Sequence, residues 1–176
     1  MTPPAPPAAA PSPPRPAPAV GLGLDAGGTQ TRWTIAQVGG TLQAQGSAAP
    51  LSGLLLANAE GRAQLQATLQ ALAGATGPVQ AVVAGMTGLD AAQAPLLAQM
   101  LADAWAVPVQ RVRAVNDIEL ACHAAQTTVG DSYLVYAGTG SVAAFIDAQG
   151  QLQRVGGRGA LIDDAGGGHW IARQAL

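Results

Sequence analysis

The chain has no lysine, one cysteine and only 3% aromatic residues, and none of its apolar runs is long. Each shortage excludes something. Without lysine there can be no G-x-x-x-x-G-K-[ST] loop, whose ammonium group reaches the phosphates. The 8 basic residues are all arginines, they form no stripe, and the net charge is −2. Nucleic acid and an anionic membrane surface are therefore not expected partners. Cys122 alone cannot close an internal disulfide and suits a reducing, cytoplasmic setting. No stretch reaches the ~18 apolar residues of a membrane span. With hydrophobic residues at 49% and so few aromatics, the core must be aliphatic and alanine-rich. A chain of 176 residues suffices for one domain, or for one and part of another.

What is there begins with proline. Residues 1–19, "MTPPAPPAAAPSPPRPAPA", hold most of the 13 prolines. Proline fixes φ and removes amide donors, so this segment is expected to be an extended, disordered tail. It lacks the apolar h-region of a signal peptide; a proline-rich ligand for a partner domain is the other reading. "VGLGLD" (20–25) then reads as a buried strand, "TRWTIAQV" as a second and "TLQAQGS" as a third, with Gly39-Gly40 as a hairpin turn. From Asn58, Leu65, Leu69, Leu72 and Ala73 recur at helical spacing, and Gly74 and Gly77 close the helix. "VQAVVAG" (79–85) is a strand. Leu96, Leu97, Met100, Leu101, Ala104 and Trp105 form a helical stripe. Asp90 with Gln93 is a candidate cap for it, although Pro95 points to a later start. "RVRAV" (111–115) is a strand and "DIELACHAAQ" a helix with Ile118, Ala121, Cys122 and Ala125 on one face.

Residues 20–126 thus read β-β-β-α-β-α-β-α. The opening then repeats: "SYLVYAG" (132–138), a glycine loop, "SVAAFIDA", a turn at Gly150, and "QLQRV". A loop, "GGRGALIDDAGGG", leads into "HWIARQAL", a helix start of about two turns. The chain is expected to be cut short there.

Several of these segments carry chemistry. Gly21-x-Gly23-x-x-Ala26 formally matches a dinucleotide fingerprint, but such a loop must open a helix, and here a strand follows. What remains is Asp25 at a strand end, followed by Gly27, Gly28, Thr29 and Thr31. Glycines let backbone amides approach an anion, and threonine hydroxyls add donors. A carboxylate beside a phosphate needs a cation between them, so Asp25 implies magnesium, held through water. An ordinary glycine hairpin is the competing reading. Gly138, Thr139, Gly140 and Ser141 offer a second such loop, and the two loops are expected to face one another across a cleft. Asn116 and Asp117 stand where a strand passes into a helix. Asp117 is either a helix cap or a base for an attacking hydroxyl. His123 falls four residues after Glu119, as a solvent-facing pair, while His169 opens the last helix near Asp164 as a candidate sugar contact. Neither histidine has the neighbours of a metal site.

In order, "DAGGTQTRW", "VND", "GTGS" and "GGRGALIDDAGGGHWI" resemble the signatures of the N-acetylglucosamine kinases and the related activator ATPases of the benzoyl-CoA reductase type, within the actin, heat-shock ATPase and hexokinase superfamily. The resemblance runs from about Val20 to Leu176. It implies an α/β fold: a ribonuclease H-like lobe of the actin and hexokinase type over residues 20–130, and the start of a second, truncated lobe over 131–176. It implies ATP and magnesium as cofactors and a small sugar as substrate. Asp25 would orient hydrated magnesium, while Gly27, Gly28, Thr29, Gly138, Thr139 and Gly140 would contact phosphates. Asp117 would be the general base and Asn116 would position the sugar, with Thr139, Ser141 and Asp164 touching it. The family pattern has a glutamate and a serine where this chain has Ala165 and Gly167, and an aromatic at Arg158. The adenosine pocket of the family would lie beyond Leu176.

An amino-sugar 6-kinase is the reading these residues favour. An activator ATPase fits less well, because its shared iron–sulfur cluster takes two cysteines from each subunit. Repressor-type sugar kinases need zinc cysteines that are missing. A half-protein that binds sugar or phosphate, or pairs with a partner or a second copy, is the non-enzymatic alternative. In that case uncovered strand edges and apolar faces are expected to drive oligomerisation.

Overall fold

The computed structural model describes residues 19–125, 133–159 and 161–176. Most of the proline-rich tail, and the link between the two halves, lie outside the described residues.

Three strands open the fold: β1 (Val20–Ala26), β2 (Thr31–Gln37) and β3 (Leu42–Ala48). They form an antiparallel meander. Gly39 and Gly40, at φ +99° and +89°, make the β2–β3 turn, in a backbone region that only glycine enters without strain. A 3-10 turn over Gly53–Ala57 follows, which periodicity had not revealed, and then α1 (Ala59–Thr76). Asn58 caps α1, its Oδ1 accepting the Gly61 amide at 2.8 Å. Gly77 ends the helix as expected, whereas Gly74 lies inside it.

β4 (Ala81–Met86) pairs parallel with β1, and β5 (Val112–Asn116) pairs parallel with β4. The sheet order is β3-β2-β1-β4-β5. Between β4 and β5 runs α2 (Ala94–Trp105), with Pro95 in its first turn. Asp90 does not cap it. Its Oδ1 accepts the Ala92 amide in a separate turn, and Gln93 makes no side-chain cap. Proline at the helix start already lacks the N–H that such a cap would satisfy.

Alternation along the strands assigns the two faces of this sheet. Leu22, Leu24, Val82, Ala84 and Met86 point one way and bury Leu65, Leu69, Leu97 and Leu101 of the two helices in the main core. The other face carries Gly23, Asp25 and Gly85. There α3 (Asp117–Ala125) lies close across β4. A Cβ on Gly85 would stand 2.5 Å from Leu120 Cδ2 and 2.6 Å from its Cβ, so glycine is what permits the approach.

A second sheet contains β6 (Tyr133–Ala137), β7 (Ser141–Ile146) and β8 (Leu152–Val155), antiparallel in that order. Val142, Ala144 and Ile146 of β7 pack on Ile118 and Cys122 to form a small second core. α3 is therefore wedged between the two sheets. α4 (Gly168–Gln174) closes the described chain. Among the described residues no helix is long and apolar enough to cross a membrane.

Candidate active site

The three parallel strands end together. Register places Ala26, Met86 and Asn116 side by side, so Gly27, Thr87 and Asp117 are each the first residue beyond their strand. Ligands of open α/β sheets bind at such carboxyl edges.

The first loop is a tight turn, closed by the Gly27 amide donating to the Gln30 carbonyl at 3.1 Å. Among the described residues, the Gly28 and Thr29 amides have no backbone partner. A Cβ at Gly28 would meet nothing within 4 Å, so the glycine leaves open room above the turn. Asp25 faces out beside Arg32, at 4.0 Å, with both side chains largely exposed. Such a pair contributes little in water and leaves the carboxylate available. Thr31 departs from expectation. It stands opposite Ala26 in an antiparallel pair, and opposed residues share a face, so Thr31 is fully buried on the core side. Its hydroxyl cannot serve the loop.

Asp117 is half-buried at the start of α3, where its Oδ1 and Asn116 Oδ1 each accept the Ile118 amide at 3.0 Å. The bond from Asn116, two residues before the amide it accepts, is the cap-like one, so Asn116 rather than Asp117 caps α3, and Asp117 is the first residue of the helix, at the border of open space. Asn116 Nδ2 reaches the Leu89 carbonyl at 3.4 Å, tying the strand end to the loop after β4.

The second loop is tied by backbone hydrogen bonds to the start of α4. The Gly138 amide donates to the Gly140 carbonyl at 2.8 Å. The Gly138 and Thr139 carbonyls accept the Gly168 and His169 amides at 2.7 and 3.0 Å, seating the start of α4. Ser141 Oγ donates to the Ala165 carbonyl at 2.8 Å. A Cβ at Gly167 would come within 2.6 Å of the Gly140 backbone, so the position where the family pattern has serine is here filled by close loop packing. The His169 side chain lines neither of the clefts described next.

Two clefts meet at Asp117. One, of about 610 Å³, is lined by Asp25, Gly27, Gly28, Thr29, Asp117 and Tyr136. The other, of about 680 Å³, is lined by Asn116, Asp117, Gly140, Ser141, Arg154 and Asp164. Thr87, Asp117, Ile118 and Tyr136 border both. The two glycine loops thus open onto neighbouring parts of one bordered space. They sit in adjoining clefts with the α3 start between them, because α3 is inserted between the sheets. Gly138 and Thr139 line neither. Thr87 is a cleft-lining residue that sequence reading missed, although "TG" directly after a third parallel strand end was the available signal.

Among the described residues no three His, Cys, Asp or Glu side chains converge to cage a metal. The first cleft offers two carboxylates, Asp25 and Asp117, beside exposed turn amides. That donor set fits magnesium, which keeps several waters and takes one or two carboxylates with phosphate oxygens.

No family model matches the chain, and no curated protein matches it. Solved structures do. A protein named as an N-acetylglucosamine kinase from Porphyromonas gingivalis is similar at 24% identity and TM-score 0.68, over 88% of this chain and 54% of that one. Its counterpart from Chromobacterium violaceum gives 24% identity and TM-score 0.61, over 91% and 56%. An inorganic polyphosphate/ATP-glucomannokinase from Arthrobacter gives 19% identity and TM-score 0.51, over 90% and 72%. The chain spans about half the length of the first two. At these identities the likeness is one of fold. The mixed α/β fold with its five-stranded sheet is similar to the fold of these solved structures.

Proposed function

We propose that this chain carries part of an ATP-dependent sugar kinase that phosphorylates N-acetylglucosamine or a related amino sugar at its 6-hydroxyl. The observation that carries the reading is Asp117, half-buried where three strands end, lining both clefts at once. It stands between a glycine turn suited to phosphate and a cleft with polar groups suited to a sugar.

ATP supplies the phosphoryl group, and magnesium neutralises charge on its phosphates. Asp25 orients the hydrated ion, and the free amides of Gly28 and Thr29 donate to phosphate oxygens. Asp117 accepts the proton of the attacking hydroxyl as that oxygen bonds to the γ-phosphorus. The bond from phosphorus to the bridging oxygen breaks, and its electron pair leaves with ADP. Ser141 and Asp164 hold acceptor hydroxyls, and Asn116 keeps Asp117 in place through the shared Ile118 amide. The amides of Thr139 and Gly140 are the remaining donors of the second loop. Residues 133–176 are on this reading the opening of a second lobe, with the division near residue 130, and the setting is cytoplasmic.

The test is a mass-spectrometric phosphotransfer assay with magnesium-ATP and a panel of sugars including N-acetylglucosamine. Asp117→Asn is expected to lower the rate by roughly 10²–10⁴-fold, the usual worth of a positioned base, with an unchanged melting curve. Sugar phosphate formed equally well by the variant would refute Asp117 as base.

A second reading has its own support. Tyr133, Val135 and Val155 share one face of the second sheet and are 74%, 76% and 64% exposed. Three large apolar side chains exposed on one face, beside Gln153, favour a chain that completes itself against a partner or a second copy.

A further inference from the structure

The acceptor cleft continues past Asn116 into a side chamber of about 440 Å³. Arg154 and Asp90 line both spaces. Neither residue borders the cleft that holds Asp25 and the glycine turn. Arg154 therefore serves the acceptor side and not the phosphate-donor side.

Arg154 is also the one cation that lines the acceptor cleft, among the carboxylates of Asp90, Asp117 and Asp164. Glu119 lines the chamber, but Arg113 Nη2 lies 3.2 Å from its Oε1, and His123 Nε2 lies 3.7 Å away. Arg113 also meets His123 Nε2 at 2.6 Å, so that nitrogen accepts from the guanidinium. Asp90 turns a carboxylate oxygen to the Ala92 amide. Among the described residues no carboxylate lies within ion-pair distance of Arg154. β8 holds it opposite Ala144, on the face that packs toward α3. A guanidinium fork matches a planar or tetrahedral oxyanion with two parallel hydrogen bonds, a match that a neutral hydroxyl does not provide.

We propose that Arg154 determines acceptor specificity by pairing with an oxyanion, a carboxylate or a phosphate ester, carried by the sugar away from its reacting hydroxyl and seated at the mouth of the side chamber. The chamber gives such a substituent room, and Leu89, Ala94 and Leu152 give its carbon stem an apolar wall. This inference rests on the kinase reading for the position of the reacting hydroxyl, but not for binding.

The test is calorimetric binding to the full chain without nucleotide, followed by the phosphotransfer assay. The probes are N-acetylglucosamine, its 3-O-carboxymethyl ether, the matching carboxamide, and N-acetylglucosamine 1-phosphate. At least one anionic probe is expected to bind about tenfold or more tighter than the neutral ones, as a charge-assisted pair provides. Which probe gains identifies the oxyanion. Arg154→Gln should collapse that ratio toward one, Arg154→Lys should keep part of it, and added salt should shrink it in the unmodified chain. Equal affinity for carboxylate, phosphate and carboxamide overturns the proposal, as does a preference that survives Arg154→Gln in a variant with an unchanged melting curve. Arg154-dependent binding without phosphotransfer leaves the proposal standing and removes catalysis by this chain alone. Phosphotransfer without anion preference does the reverse.

Discussion

At the scale of single residues, function and stability separate cleanly in the first hairpin. Asp25 and Arg32 face outward together, while Ala26 and Thr31, one step along, face the core together. Among the described residues the buried Thr31 Oγ1 has no hydrogen-bond partner. A buried polar atom without a partner costs about 1–3 kcal/mol. Thr31→Val, which keeps the shape and removes the hydroxyl, should therefore raise unfolding stability by roughly 1 kcal/mol in urea titrations. A loss of stability would mean that the hydroxyl has a partner. Cys122 makes a second residue-level case. Burial first, and then the nearby Glu119 carboxylate, push its thiol above the usual range. At neutral pH it should stay protonated and react with thiol reagents far more slowly in the native chain than in urea.

At the scale of elements, close approaches decide where the chemistry stands. The start of α3 carries Asp117, and Gly85 lets that helix sit on β4. Gly85→Ala should destabilise by about 1–3 kcal/mol, the usual cost of overpacking, and should depress phosphotransfer as α3 shifts. Chemical denaturation alongside the sugar-phosphate assay would check both effects. Unchanged stability would mean that Leu120 swings aside freely. The β7–β8 turn is organised by one carboxylate. Asp147 accepts the Gln151 amide, the Gln153 side chain and the Gln149 amide, which hold its carboxyl below the ordinary range. The ionised form is thus favoured by folding. Its contribution is complete above the unfolded value of about 3.9, and is lost as pH falls through the lower folded value. Followed by NMR, the Gln149 and Gln151 amide shifts should titrate below that value, and Asp147→Asn should abolish the step. A midpoint at the value of a free aspartate would show that these bonds do not persist in solution.

At the scale of the whole molecule, two cores of unequal size flank α3. The larger one contains the leucine faces of both long helices, and the smaller one holds little beyond Ile118, Cys122 and alternate residues of β7. The opposite face of the second sheet, with Tyr133, Val135 and Val155, is open. Sedimentation is expected to show concentration-dependent association through that face, reduced by Val135→Lys. A sharp monomer at low and high concentration, with cooperative melting, would remove the idea.

Most elements could be read from the sequence alone because their physics is local. Period-2 burial marks β1, leucines at helical spacing mark α1 and α2, and the adjoining glycines, Asn58 and Pro95 mark turns and helix starts. The 3-10 turn at Gly53–Ala57 escaped because so short a segment has no period to detect. The candidate site residues were legible by type and place, since Asp25 stands one residue before the end of β1 and Asp117 one residue after the end of β5. Their division between two clefts was not legible. That depends on α3 being wedged between the sheets, with Leu120 above Gly85 and Ile118 and Cys122 under β7, contacts between residues far apart in the chain. For the same reason Thr31, which reads as a loop donor, lies in the core, and Thr87 and Arg154 join the site unannounced. Residue order alone determined which segments form strands, helices and phosphate-like turns. Only tertiary packing decided which of their side chains meet, because burial and cleft geometry arise when separate elements come into register.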